Sequence, residues 1–225
     1  MPIFDKLKEN IFNFIEPNAG FNPEVLNDEI AMKTDWEPVG AGNVKFRHTR
    51  ILKKISPRRI EFNTRIASLS LPTLFMVIGG ATILAIIYVG RRQNIHLQYG
   101  GIPLGSALFL YGLYLFRCWT IPSIFDLNLG YYWKSRNKIA PIDMRDIRDR
   151  CRLKDIHAIQ LLEEFCRSSS RDGNLYHNFE LNLILKDGRR LNIMVHKNQS
   201  LIRSDAQTLA RFINVPVWDA TWQGE

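Results

Sequence analysis

Five histidines and three cysteines are the side chains best able to bind a metal or attack a substrate: His48, His96, His157, His177 and His196, with Cys118, Cys151 and Cys166. Metal sites draw these ligands from short, fixed spacings, and none of the eight is so placed. Cys166 and His177 can be set out as a thiol–base pair. A nucleophile of that kind needs a third group to orient the base, and no such group stands out. There is no P-loop and no G-x-G-x-x-G. Gly79-Gly80 and Gly100-Gly101 lie in or beside apolar runs, where packing explains them. No catalytic residue, no metal ligand, no cofactor and no enzymatic activity is therefore expected. An odd cysteine count without a disulfide spacing favours a reducing, cytosolic setting for the soluble part.

Charge is the second chemical feature. Lys and Arg number 30 against 22 Asp and Glu, a formal net charge of +8 with a pI near 9.5. That balance suits nucleic acid or an anionic membrane surface. Tyr132-Trp133-Lys134-Ser135-Arg136 mixes aromatic and basic residues as a nucleic-acid binder would, but it follows an apolar segment, and no nucleic-acid partner is expected. Arg47, Arg50, Lys53, Lys54, Arg58 and Arg59 are candidate contacts to lipid headgroups. Each would add on the order of 1 kcal/mol if close to an anionic leaflet. The plainer reading of the same residues is an orientation signal.

Two apolar segments must position everything else. Ile66–Val89 is uncharged and spans about 36 Å as a helix, enough for about 30 Å of hydrocarbon. Gly100–Phe116, also uncharged, is a second, shorter span running to about residue 117, with Arg117 and Trp119 at a headgroup boundary. Pro103 is expected in its first turn. Residues 90–99 can only turn the chain, so the helices should be antiparallel neighbours. Gly101-x-x-x-Gly105 is a candidate close-contact face, for the hairpin or for a homo-oligomer through these helices. Arg47–Arg65 holds seven Lys or Arg, whereas the turn holds Arg91 and Arg92. The positive-inside rule then places both termini in the cytoplasm.

Flanking these spans, residues 1–17 carry Phe4, Leu7, Ile11, Phe12 and Ile15 at helical spacing, an amphipathic helix that can lie on the membrane or dock on the soluble part. They lack the features of a signal peptide, so the first span is expected to act as its own insertion signal. Residues 18–43 read as linker. Residues 44–65 read as a basic juxtamembrane hairpin, with strands at Val44–Arg47 and Arg50–Ile55, a turn at Ser56-Pro57-Arg58-Arg59, and a return at Arg59–Phe62.

Residues 125–220 change character. Phe125–Lys134 reads as strand, turn and strand. Asn137–Arg150 reads as loop, and Ile156–Leu162 as a strand. Phe179–Leu185 and Arg190–His196 alternate about Asp187-Gly188, a strong hairpin signature. A terminal helix follows, capped by Ser204 or Asp205, with Ala206, Leu209, Ala210, Phe212 and Ile213 on its apolar side and Pro216 ending it. Strands followed by one helix is the order of a pleckstrin-homology-like (PH-like) domain. Phe125-Asp126, Tyr132-Trp133-Lys134, Leu153–Gln160, Glu180–Leu183, Lys186–Arg190 and Pro216–Ala220 resemble a family of uncharacterised bacterial membrane proteins, over roughly residues 36 to 220. The resemblance implies a two-helix hairpin with a small PH-like domain in a bacterial inner membrane. It brings no activity.

The expected fold class is thus a membrane α-hairpin plus an α+β domain: two transmembrane helices, then a small antiparallel sheet domain with a C-terminal helix. The expected role is a membrane-tethered, non-catalytic binding or scaffold module, with the bilayer and a cytoplasmic protein as partners. A lipid-binding or membrane-organising protein is the alternative, and an enzyme or channel subunit the third.

Overall fold

The structure, a computed structural model, describes residues 21–39, 50–93, 98–136, 149–167 and 175–221. The amphipathic segment 1–17 and the strand expected at Val44–Arg47 lie outside them. The chain divides into two units, Met1–Phe62 with Ser123–Glu225, and Asn63–Pro122.

The first unit holds two sheets. Strands β1 (Arg50–Ser56), β2 (Arg59–Thr64), β3 (Ser123–Asp126), β4 (Tyr131–Lys134) and β5 (Arg150–Arg152) form one in chain order. Strands β6 (Ile156–Arg167), β7 (Leu175–Leu185), β8 (Arg190–His196) and β9 (Val217–Asp219) form the other, in the order β8-β7-β6-β9. The pairings β2–β3, β3–β4, β4–β5, β6–β7 and β7–β8 are antiparallel, and β9 pairs with β6 in parallel. The alternation expected for β6, β7 and β8 is present because period-two patterning sends alternate side chains to opposite faces. Ile159 and Leu161 of β6 meet Phe179, Leu181, Leu183 and Leu185 of β7 in the core. Ile60, Phe62, Phe125 and Tyr132 enter it from the first sheet, and Ile202, Ala206 and Leu209 from the C-terminal helix. The Asp187-Gly188 turn forms as expected: Gly188 takes φ +83°, its N–H donates to the Leu185 carbonyl, and the Leu185 N–H donates to the Arg189 carbonyl.

Several boundaries move. β2 pairs directly with β3, Phe62 opposite Ser123 and Arg59 opposite Asp126. The 44–65 hairpin is therefore not separate from the 125–220 domain; ladder hydrogen bonds join them, and the long helices interrupt one sheet. The stretch read as linker is partly built: a 3₁₀ turn at Pro23–Leu26, then a short helix, α1 (Glu29–Lys33), capped by Asp28. The C-terminal helix is α4 (Gln199–Ile213), and its cap is Asn198, whose side chain accepts from the Leu201 N–H, rather than Ser204 or Asp205. Sequence reasoning began the helix too late because Ile202, buried one turn before Ala206, was left out of the apolar side. Arg150 starts a strand rather than ending a loop.

The second unit holds two long helices, α2 (Ser70–Gln93), entered through a 3₁₀ turn at Ile66–Leu69, and α3 (Gln98–Trp119). Both are long and apolar enough to cross a membrane. Only 6% and 11% of their most apolar windows are buried, whereas the core helix of a soluble protein is mostly buried. The helical runs reach further into the 90–99 segment than the sequence suggested. Pro103 consequently lies inside α3, not in its first turn, and the helix forgoes one hydrogen bond there. The two helices pack through glycine. A Cβ on Gly79 would sit 2.5 Å from Phe109 N and 2.6 Å from the Gly105 carbonyl oxygen. One on Gly112 would sit 2.8 Å from both Met76 N and the Pro72 carbonyl. Gly101 and Gly105 face Ile86 and Ile83 of α2. That glycine face is taken up within one chain.

Candidate binding face

The outer face of the second sheet is where side-chain chemistry collects. β6 sends Gln160 and Glu164 outward, β7 sends Asn178, Glu180 and Asn182, and β8 sends Arg190 and Asn192. Strand register sets Gln160 opposite Asn182 and Asn182 opposite Asn192. A polar sheet face is ordinarily the solvated one. Here Gln160 and Asn182 are 0% exposed, and Glu164 and Glu180 1%.

Residues 21–39 lie on this face. They form a strap across it, held mainly by bonds from sheet side chains to its backbone. Gln160 Nε2 donates to the Asp35 carbonyl at 3.1 Å. Arg190 Nη1 donates to the Asp35 and Glu37 carbonyls at 2.8 and 2.7 Å, and its Nη2 pairs with the Asp35 carboxylate at 2.6 Å. The Glu180 carboxylate accepts the Val39 N–H at 2.9 Å and an Asn192 amide hydrogen at 2.5 Å. Three neighbouring strands thus read the main chain of one short segment. Charge-assisted bonds of this kind are about twice as strong as neutral ones.

Two side-chain anchors add sequence character. The Trp36 ring packs between Phe21 and Trp218, with centroids at 4.4 and 5.9 Å, and its indole N–H donates to the Ala31 carbonyl at 3.0 Å. A small apolar cluster of Ala31, Ala158, Ile184 and Trp218 underlies it. At the other end Asp28 Oδ2 meets His157 Nε2 at 2.7 Å, while Asp28 Oδ1 accepts from the Ile30 and Ala31 N–H groups. Burial opposes ionisation of Asp28, but the His157 bond and those two N–H donors outweigh it and hold its carboxyl below the ordinary aspartate value. Among the described residues, the buried Gln160 Oε1, an acceptor, and Asn182 Nδ2, a donor, have no hydrogen-bond partner on this face.

The candidate headgroup residues separate into two sets. Arg47 lies outside the described residues. Arg50 Nη1 donates to Ser123 Oγ at 2.6 Å, and burial disfavours its charge, outweighing the pull of Tyr132 and Asp149. Arg59 pairs with Glu61 at 3.0 Å and Asp126 at 3.6 Å and lies over the Trp133 ring. Lys53, Lys54 and Arg58 are exposed, and Arg58 Nη1 donates to Asn128 Oδ1 at 3.0 Å. The thiol–base pairing has no support in the register. Cys166 is set opposite Tyr176 and His177 opposite Phe165, and His177 Nδ1 meets Glu163 Oε1 at 2.5 Å. Burial pushes the Cys151 thiol up to about 12, so it is not a thiolate at neutral pH. Among the described residues no group of three or more His, Cys, Asp or Glu is placed to hold a metal ion.

No family model, no curated protein and no solved structure matches the chain.

The outer face itself went unnoticed in the sequence. Its signal was there as polar residues alternating with the core positions of β6 and β7, but such alternation ordinarily marks solvent. What covers it is more than a hundred residues away along the chain.

Proposed function

We propose that the chain is a two-pass membrane protein whose two-sheet domain works as a tethered, non-catalytic binding module on the cytoplasmic side. In this reading α2 and α3 cross the bilayer as an antiparallel hairpin, both termini are cytoplasmic, and the domain is PH-like. The exposed apolar surface of both helices and the basic stretch before α2 support the membrane placement. Two sheets and a terminal helix around one core support the PH-like reading. The binding role rests above all on one observation: sheet side chains from β6, β7 and β8 grip the main chain of residues 35–39. A domain that holds one peptide this way has the groups to hold another.

A second reading has its own support. Lys53 and Lys54 are exposed on the edge strand β1, and Arg58 on its turn, so an anionic surface is a candidate partner. The deciding experiment purifies the intact protein in mild detergent and identifies what accompanies it. A stoichiometric protein that is lost when the Asp187-Gly188 turn is disrupted supports the binding module. If anionic lipid alone accompanies the protein, and Lys53→Glu with Lys54→Glu releases it, the membrane-organising reading replaces the module.

A further inference from the structure

We propose that residues 21–39 are an internal occupant of a peptide-binding face, and that the partner it stands in for is an acidic segment carrying a tryptophan between two carboxylates, as in Asp35-Trp36-Glu37. This rests on the tethered-module reading and names its partner class.

Three observations carry it. First, the strap is held as a ligand is held. It belongs to neither sheet, and strand side chains take its backbone groups one by one at Asp35, Glu37 and Val39. Main-chain capture is indifferent to sequence; the selective contacts are the Asp35 carboxylate on Arg190 and the Trp36 ring on Trp218.

Second, carboxylates of the strap find partners on the face even though it carries Glu164 and Glu180 of its own. Phe21–Val39 holds Glu24, Asp28, Glu29, Asp35 and Glu37 against one Lys33, within a chain of net charge +8. Two of those carboxylates land on the sheet's basic side chains, Asp28 on His157 and Asp35 on Arg190.

Third, the fit is incomplete. Gln160 and Asn182 are opposite one another in the β6–β7 register and fully buried, and Gln160 Oε1 lacks a donor while Asn182 Nδ2 lacks an acceptor. Burying such groups without partners is unfavourable. A ligand offering a donor and an acceptor there, as the primary amide of an Asn or Gln side chain does, would satisfy both and compete with the strap. Removing the strap returns Gln160 and Asn182 to water, where they are solvated, and uncovers Ala158, Ile184 and Trp218, but the main core includes no strap residue and need not open.

The test uses the intact protein in detergent and a fluorescein-labelled peptide of residues 21–39, with a scrambled peptide as control. Affinity for an occupied site falls by the fraction of molecules in which it is free. Asp35→Ala with Trp36→Ala loosens the strap and is expected to tighten peptide binding about tenfold or more over the unaltered protein. Adding Arg190→Ala to that variant should cost about tenfold again, the loss of a charge-assisted fork. Equal peptide binding by the loosened and unaltered proteins overturns the proposal, as does no binding by a loosened variant that still melts cooperatively. Should that variant fail to fold, hydrogen exchange on the unaltered protein decides. Amides of 21–39 exchanging about a hundredfold faster than those of β6 and β7 support an exchangeable strap, and exchange in one cooperative unit with them overturns it. If the peptide fails while the detergent preparation retains a stoichiometric partner, the binding-module reading stands and the strap inference alone falls.

Discussion

Gly79 and Gly80 are adjacent in α2, and an added methyl should have opposite effects at the two. At Gly80 a Cβ meets nothing within 4 Å. Alanine there brings only its helix preference, up to about 1 kcal/mol in favour of the helix. At Gly79 the same preference applies, but the Cβ meets backbone of α3, Phe109 N at 2.5 Å and the Gly105 carbonyl at 2.6 Å. Carbon atoms are comfortable at roughly 3.5 to 4 Å, so the helices must part by about 1 Å. Backbone cannot rotate away as a side-chain tip can. Overpacking of this kind costs about 1–3 kcal/mol. The propensity gain is common to both variants and cancels in the comparison. Gly79→Ala should therefore be less stable than Gly80→Ala by about 2 kcal/mol, a factor of about 30 in the unfolding equilibrium. The assay is unfolding in mixed detergent–SDS micelles, read by energy transfer between labels at the ends of α2 and α3. A difference under about 0.5 kcal/mol, within the ordinary scatter of exposed substitutions, would refute the glycine-mediated packing.

Two further outcomes concern the two-sheet domain. Gly188 holds φ +83° with open space around it, so Gly188→Ala should destabilise by about 1–2 kcal/mol through backbone strain alone, measured by chemical denaturation. Asp205 on α4 has its carboxyl raised by burial, which outweighs the hydrogen bond donated by the Leu52 N–H. A raised carboxyl is most favourable when neutral: its contribution is fully present below the ordinary aspartate value and is lost as pH rises through the raised one. Asp205→Asn, which keeps an acceptor for Leu52, should raise the melting temperature at pH 7 and lose that advantage as pH falls below the ordinary aspartate value.

Local signals were the legible ones. The Asp187-Gly188 turn announces itself because φ > 0 and strand alternation are both written in adjacent residues. The long helices announce themselves through uninterrupted apolar length. The pairing of β2 with β3 was hidden, because all of Asn63–Pro122 lies between Phe62 and Ser123, and nothing in the sequence says that a sheet resumes after a hairpin of helices. The strap was hidden by composition. Asn, Pro and acidic residues read as linker, yet Asp28 before Glu29-Ile30-Ala31 is a capping pattern, and Trp36 is a large aromatic with no place in a solvated linker. Those two residues were the available clue. Arg50 and Arg59 show a different limit: their charge was visible, but their use inside the sheet, on Ser123, Glu61 and Asp126, depends on contacts that only folding makes.

Under the proposed function, strap and membrane anchor are matched in their energetics. An occupant on the same chain has an effective concentration of about millimolar. A soluble peptide of equal affinity at micromolar concentration therefore loses the competition by about a thousandfold. A partner confined to the same bilayer gains an enhancement of the same kind and meets the strap on equal terms. The unmet pair, Gln160 Oε1 and Asn182 Nδ2, then tips the balance, since a partner that satisfies both recovers on the order of 1–3 kcal/mol, enough for about a five- to hundredfold preference. A strap that fitted perfectly would close the face to every partner, and a bare face would stay open to any acidic peptide in solution. An imperfect strap on a membrane-tethered domain admits the partner that shares its membrane.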